Sequence, residues 1–310
     1  MKPHHLGLAA ALACAATCAH AHDTWFEPLP AANGEPLLAL GTGNQYPRYD
    51  SGIGREYLAR QGCRVSSPRG ETHRVPLQPL RNEPASLVLK APQRAQGCWA
   101  QLTPFEVDMP PEKVAIYFKD IQPPPAVREA WIDMQRRGVK WHERYTKHAR
   151  IEFGTVGAAP TAATDMGMDI RIESDGGALK PGATLVAQVL RDGQPLPGQA
   201  IELRSESSPI GIWRRTDTQG RLSVPVPLPG RWVLRGTDLR LSEQLADQWE
   251  SRFVTLAFEV QPVAPVSAAP SAGLPADQNG SHLTLNALSM NQTAATTAIT
   301  SDPPVSTARR

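Results

Sequence analysis

The chain has 310 residues, of which 41% are hydrophobic, enough to bury a core; its 30 prolines and 24 glycines argue against long uninterrupted helices and for short strands between punctuated loops. Lys and Arg number 32 against 30 Asp and Glu, and the resulting net charge of +2 gives no global electrostatic reason to expect nucleic acid or an anionic membrane as partner. A chain of this length carries a prior of about two domains.

Residues 1–21 read as a secretory signal: Lys2 with His4 and His5, an apolar run from Leu6 to Thr17, then Ala19-His20-Ala21 as a small-x-small cleavage site. That run is about 12 residues, too short to span a bilayer, and no later stretch reaches about 20 apolar residues, so no transmembrane span is expected in the mature chain. Lipid attachment at Cys14 or Cys18 competes, but neither follows a Leu-small-small pattern. The expected location is periplasmic or secreted. Cleavage after Ala21 leaves Cys63 and Cys98 in an oxidising compartment, where one disulfide closing a loop of roughly 36 residues is the simple outcome. A metal-bound or catalytic thiol pair is the alternative, weakened by the lack of a Cys-x-x-Cys spacing.

Along the mature chain the pattern predicts a mainly β protein of two β-sandwich domains, with a helical segment between them and a disordered carboxy-terminal tail. In the first domain, 22–120, short apolar runs at 36–40, 86–89, 98–102 and 114–118 read as strands. The helical segment, 121–153, opens on Pro123-Pro124-Pro125. It carries Val127, Ala130, Trp131 and Met134 at helical spacing, breaks at Gly138, and resumes over 139–151 with Trp141, Tyr145 and His148 on one face and Glu143 paired with Lys147. A small, polar linker is expected at 154–165. The second sandwich, 166–262, has strands at 184–190, 200–204, 222–226, 231–235 and 251–260, with turns at Asp192-Gly193 and 216–220. The tail, 263–310, is rich in Ala, Pro, Ser, Thr and Asn and reads as disordered.

Four segments carry a resemblance. They are His22-Asp23-Thr24-Trp25-Phe26-Glu27-Pro28, Gly41-Thr42-Gly43-Asn44-Gln45-Tyr46-Pro47, the run from Glu143 to Arg150, and the second sandwich, itself similar to Cna-B-like or transthyretin-like modules. Together the chain resembles the DUF4198 family of exported proteins, related to the NikM-like subunit of nickel-uptake systems. That resemblance implies a two-sandwich architecture and an envelope metal-uptake transporter as partner.

The residues themselves point to a metal. Cleavage after Ala21 makes His22 the first residue, and its free α-amine and imidazole Nδ1 can chelate one ion together near neutral pH. Such nitrogens suit nickel, cobalt, copper and zinc. The competing reading is that the peptidase merely tolerates a histidine there. His73, His142 and His148 are candidates for the remaining positions, and His282, in the tail, is the poorest. On the expected helix His142 and His148 face about 120° apart, so they would not clamp one ion by themselves. Each is weighed against a surface or packing role. The expected function is a metal-binding accessory protein, with two alternatives: a copper enzyme using the amino-terminal chelate, and a carbohydrate-binding or structural envelope protein presenting Trp213, Trp232 and Trp249. No Gly-x-Ser-x-Gly, phosphate-loop or paired-Cys zinc pattern is present, so no catalytic residue is assigned.

Overall fold

The computed structural model describes residues 22–262, apart from 31–33, 68, 70, 155–156, 158–159 and 174–177. The signal and the tail lie outside the described residues. The first half supplies β1 (Asp23–Leu29), β2 (Leu37–Gly43), β3 (Ser51–Gly52), β4 (Leu58–Ser66), β5 (Thr72–Val75), β6 (Gln78–Asn82), β7 (Leu87–Lys90), β8 (Ala95–Leu102) and β9 (Phe105–Met109). Helices α1 (Pro111–Ile121) and α2 (Pro125–Arg136) precede β10 (Trp141–Glu152). The second half supplies β11 (Met168–Glu173), β12 (Thr184–Arg191), β13 (Gln194–Pro195), β14 (Ala200–Ser205), β15 (Ser208–Arg215), β16 (Arg221–Pro225), β17 (Gly230–Leu241) and β18 (Trp249–Val260).

These strands form three sheets. A nine-stranded sheet in the order β15-β14-β17-β18-β10-β8-β4-β5, with β9 beside β10, runs through both halves. Its centre is the parallel pairing of β10 with β18, from Glu143 opposite Trp249 to Ile151 opposite Ala257. The two expected sandwiches therefore contribute strands to one sheet. Side chains alternate across a strand, so each face of this sheet packs a different layer. Val254, Leu256, Phe258 and Val260 pack on the four-stranded sheet of β11, β12, β13 and β16. Ala149, Ile151 and Ala257, on the other face, pack on Phe26, Leu40 and Leu89 of the five-stranded sheet of β1, β2, β3, β6 and β7. Further along that face α1 and α2 cover Trp141, Trp249 and Phe253.

Two expected elements differ. Residues 114–118, read as a strand, lie in α1. Val114, Tyr117, Phe118 and Ile121 are its buried stripe, and Ile116 points out at 60% exposure. A five-residue apolar run does not distinguish strand from helix by itself; Pro111 at the first turn was the helix signal. Residues 139–151, read as a resumed helix, form β10. β10 alternates over its first half, with Trp141 and Glu143 buried and Arg144 exposed, and is buried on both faces from Lys147 to Glu152, so its aromatic residues fall at helical spacings by coincidence. The expected Glu143–Lys147 pair does not form: Glu143 instead accepts from Tyr117 Oη at 3.0 Å, from Trp141 Nε1 at 3.1 Å and from the Ser251 hydroxyl.

Cys63 and Cys98 are bonded across the β4–β8 pair, directly opposite one another. In the described part of the expected linker, Asp165 accepts from Trp99 Nε1 at 2.9 Å and from Arg74 Nη1 at 2.5 Å. Arg150, fully buried, joins the layers by donating to Glu152 at 2.7 Å and to Asp169 on β11 at 2.9 Å.

Candidate functional site

Three of the sequence motifs meet where β1 begins. Asp23 pairs with Gly43 of β2, so the segment that follows Gly43 lies beside His22. Its path depends on two glycines. A Cβ on Gly43 would lie 2.2 Å from the Arg48 carbonyl oxygen, and one on Gly41 would lie 2.4 Å from the Tyr49 ring. The space left by Gly41 lets Tyr49 stack on Trp25 at 5.4 Å and donate its hydroxyl to the Ala39 and Trp25 carbonyls at 3.0 and 3.2 Å. Asp50 follows. Its backbone N–H donates to the Thr42 carbonyl at 2.8 Å, and its Oδ2 accepts the Asn44 N–H at 2.9 Å. The same oxygen stands 4.0 Å from His22 Nε2.

Behind His22 lies a buried ionic cluster. Arg235 on β17 donates to Asp23 at 2.6 Å, to Glu202 on β14 at 2.6 Å and to Asp120 of α1 at 2.8 Å. Burial works against the charge of Arg235, but the carboxylates of Asp23, Asp120 and Glu202 outweigh it and hold the guanidinium well above its ordinary range. Its guanidinium also lies 5.8 Å from the Trp213 ring. Lys147 on β10 is buried nearby, over the Tyr145 ring at 5.7 Å. Burial brings its pKa down to about 8, opposed by the negative charge of Asp23. Thr24 completes the anchorage: its hydroxyl is 2.8 Å from that of Thr42, and its carbonyl accepts from Thr255 Oγ1 at 2.6 Å. The first turn of chain after His22 is thus fixed to β2, β17 and β18.

The other candidate histidines are elsewhere. His148 is on the face of β10 opposite Lys147; it is buried, with Nδ1 2.9 Å from the Phe253 carbonyl, and its Nε2 points toward Gly167. His142 shares that parity but, six residues along a strand, is about 20 Å from His148. The 120° facing expected on a helix therefore does not apply. His142 Nδ1 pairs with Asp108 at 2.8 Å, and Nε2 is 4.0 Å from Glu106. His73 is exposed on β5, at the edge of the sheet. Among the described residues no group of three or more His, Cys, Asp or Glu side chains is arranged to hold a metal ion. Trp232 and Trp249 are core residues, leaving Trp213, partly exposed, as the one accessible member of that trio.

At the head of β1 the structure therefore offers an imidazole with a carboxylate beside one nitrogen, on a rigidly anchored strand. Sequence reasoning reached His22 but missed Asp50 and Arg235. Neither had a local signal: Asp50 is brought there by the pairing of Asp23 with Gly43, and Arg235 comes from β17.

Among curated proteins none matches the chain. Residues 19–237 match the family described as Domain of unknown function (DUF4198), a span that includes β1 to β16 and most of β17. The chain belongs to the DUF4198 family.

Proposed function

We propose that this is an extracytoplasmic metal-binding accessory protein, NikM-like in role, that holds a divalent transition metal for delivery to an envelope uptake transporter. On this reading the chain is exported to the periplasm and cleaved after Ala21. His22 then presents its α-amine and Nδ1 as a two-nitrogen chelate suited to nickel or cobalt, and also to copper or zinc. The observation that carries the reading is the anchorage of the residue after it: Asp23 is held by Arg235 at 2.6 Å inside the protein, so a terminus at His22 is displayed on a fixed strand rather than a loose arm. The Cys63–Cys98 disulfide supports a location outside the reducing cytoplasm. No chemistry on a substrate is required, and the ion is cargo.

The test is mass spectrometry of the exported protein for its first residue, together with nickel titration of wild type and His22→Ala. The reading expects a chain beginning at His22 and loss of tight binding in the variant. Equal affinity in the two proteins, or a different first residue, overturns it.

A further inference from the structure

We infer that Lys147 anchors a binding site for a small organic carboxylate, whose charge meets the ammonium while its apolar body lies along Tyr145 and Phe105. A buried cation is costly unless it is paired. Among the described residues, the buried arginines obey that rule: Arg150 is met by Glu152 and Asp169, and Arg235 by Asp23, Asp120 and Glu202. Lys147 does not. Only 9% of it is exposed, its Nζ has neither a hydrogen bond nor an ion pair among the described residues, and it lies over the Tyr145 ring at 5.7 Å. The negative charge that acts on it is Asp23, which Arg235 already holds at 2.6 Å. An ammonium withdrawn from water with its donors unused is suited to an anion that comes from outside. It repels a metal ion, so this site is separate from the proposed chelate.

The backbone makes room at the same place. Phe105 pairs with Tyr145 and Gln101 with His148, so Leu102, Thr103 and Pro104 stand opposite only Thr146 and Lys147, and the ladder is interrupted beside the lysine. An extra residue of this kind bends the chain and re-aims side chains. The Thr103 N–H turns away from β10 to the Tyr57 carbonyl at 2.8 Å. Phe105 stacks on Tyr145 at 5.4 Å, and Tyr57, 41% exposed, lies 5.1 Å from Phe105, so a run of aromatic rings leads from the surface to Lys147. These rings favour a flat, apolar ligand body. The charge favours a monoanion: Lys147 supplies one positive charge, and Asp23 would repel the second charge of a phosphate dianion. Burial brings the Lys147 pKa down to about 8, which shows how little Asp23 offsets the loss of water.

The experiment titrates benzoate, and inorganic phosphate for comparison, into the exported wild-type chain and Lys147→Met by calorimetry. In wild type, carbon-13 NMR at Lys147 Cε follows the titration of the amine with and without benzoate. The expected result is saturable benzoate binding that is weaker by about tenfold or more in Lys147→Met. With benzoate bound, the pH at which Lys147 titrates should rise by about one unit, the linked counterpart of a tenfold preference for the charged amine. Absence of saturable binding, equal affinity in Lys147→Met, or phosphate bound more tightly than benzoate overturns the inference. Where Lys147→Met does not fold, the wild-type measurement decides: a Lys147 signal that titrates at the same pH in saturating benzoate overturns it as well.

Discussion

Asp23 on β1 and Arg235 on β17 are 212 residues apart in sequence and 2.6 Å apart in the structure, in a part of the protein closed to solvent. Arg235 is the common partner of Asp23, Asp120 and Glu202. Replacing it with Met removes the cation and leaves these carboxylates facing one another, and breaking a buried pair in this way costs about 3–5 kcal/mol. Arg235→Met is therefore expected to lower the unfolding free energy by that amount in urea titrations. A change below about 1 kcal/mol would show that the cluster adds little beyond its packing.

Gly43 has no room for a side chain, since a Cβ there would lie 2.2 Å from the Arg48 carbonyl and 2.9 Å from the Trp25 ring. Gly43→Ala must push the 44–50 turn away from β1. The expected cost is about 2 kcal/mol, or roughly 4–8 °C in Tm. Thermal melting of the variant beside wild type tests it; an unchanged Tm would mean that the turn shifts without cost.

Cys63 and Cys98 face each other across neighbouring strands, with 35 residues of separation, and enclose β5, β6 and β7. Constraint of the unfolded chain over such a loop is worth about 3–4 kcal/mol. Cys63→Ala with Cys98→Ala should lose that much stability, and reductant should lower the Tm of wild type without affecting the double variant.

His148 is buried beneath Arg252 and near Asp192 and Arg191. Burial lowers its pKa to about 4, against the opposing pull of the Phe253 carbonyl. The unfolded chain takes up a proton near pH 6.5 that the folded chain refuses until about 4, so this contribution is complete above 6.5 and is lost as pH falls toward 4. The loss amounts to about 3 kcal/mol over the window. Titrations of the other groups are common to wild type and His148→Gln. The stability gap between the two should therefore narrow by about 2–3 kcal/mol from pH 7 to pH 4.5, as followed by urea midpoints. A gap that stays constant would mean that His148 is not held neutral by the fold.

Much of the fold was legible because alternation and turn residues are local signals. The runs at 36–40, 98–102, 184–190 and 251–260 fall on β2, β8, β12 and β18. β10 was misread for a physical reason. Its second half, buried on both faces, loses its alternation, so that His148 joins Trp141 and Tyr145 of the other face in an apparent helical stripe. The same misreading hid the site, for in a strand Lys147 and His148 face opposite sides, and only Lys147 turns toward Asp23. Asp50 escaped notice because a lone aspartate in a turn carries no pattern. Its meaning comes from the pairing of Asp23 with Gly43, a contact between β1 and β2 that no local window contains.

β18 is the last described strand to be made, yet it occupies the middle of the nine-stranded sheet, between β10 and β17. Until it arrives, β10 and β17 each present a row of unsatisfied amides and carbonyls. A chain emerging amino-terminus first therefore cannot finish its central layer until Val260 has followed. The last described strand to be made thus closes two edges of the sheet at once.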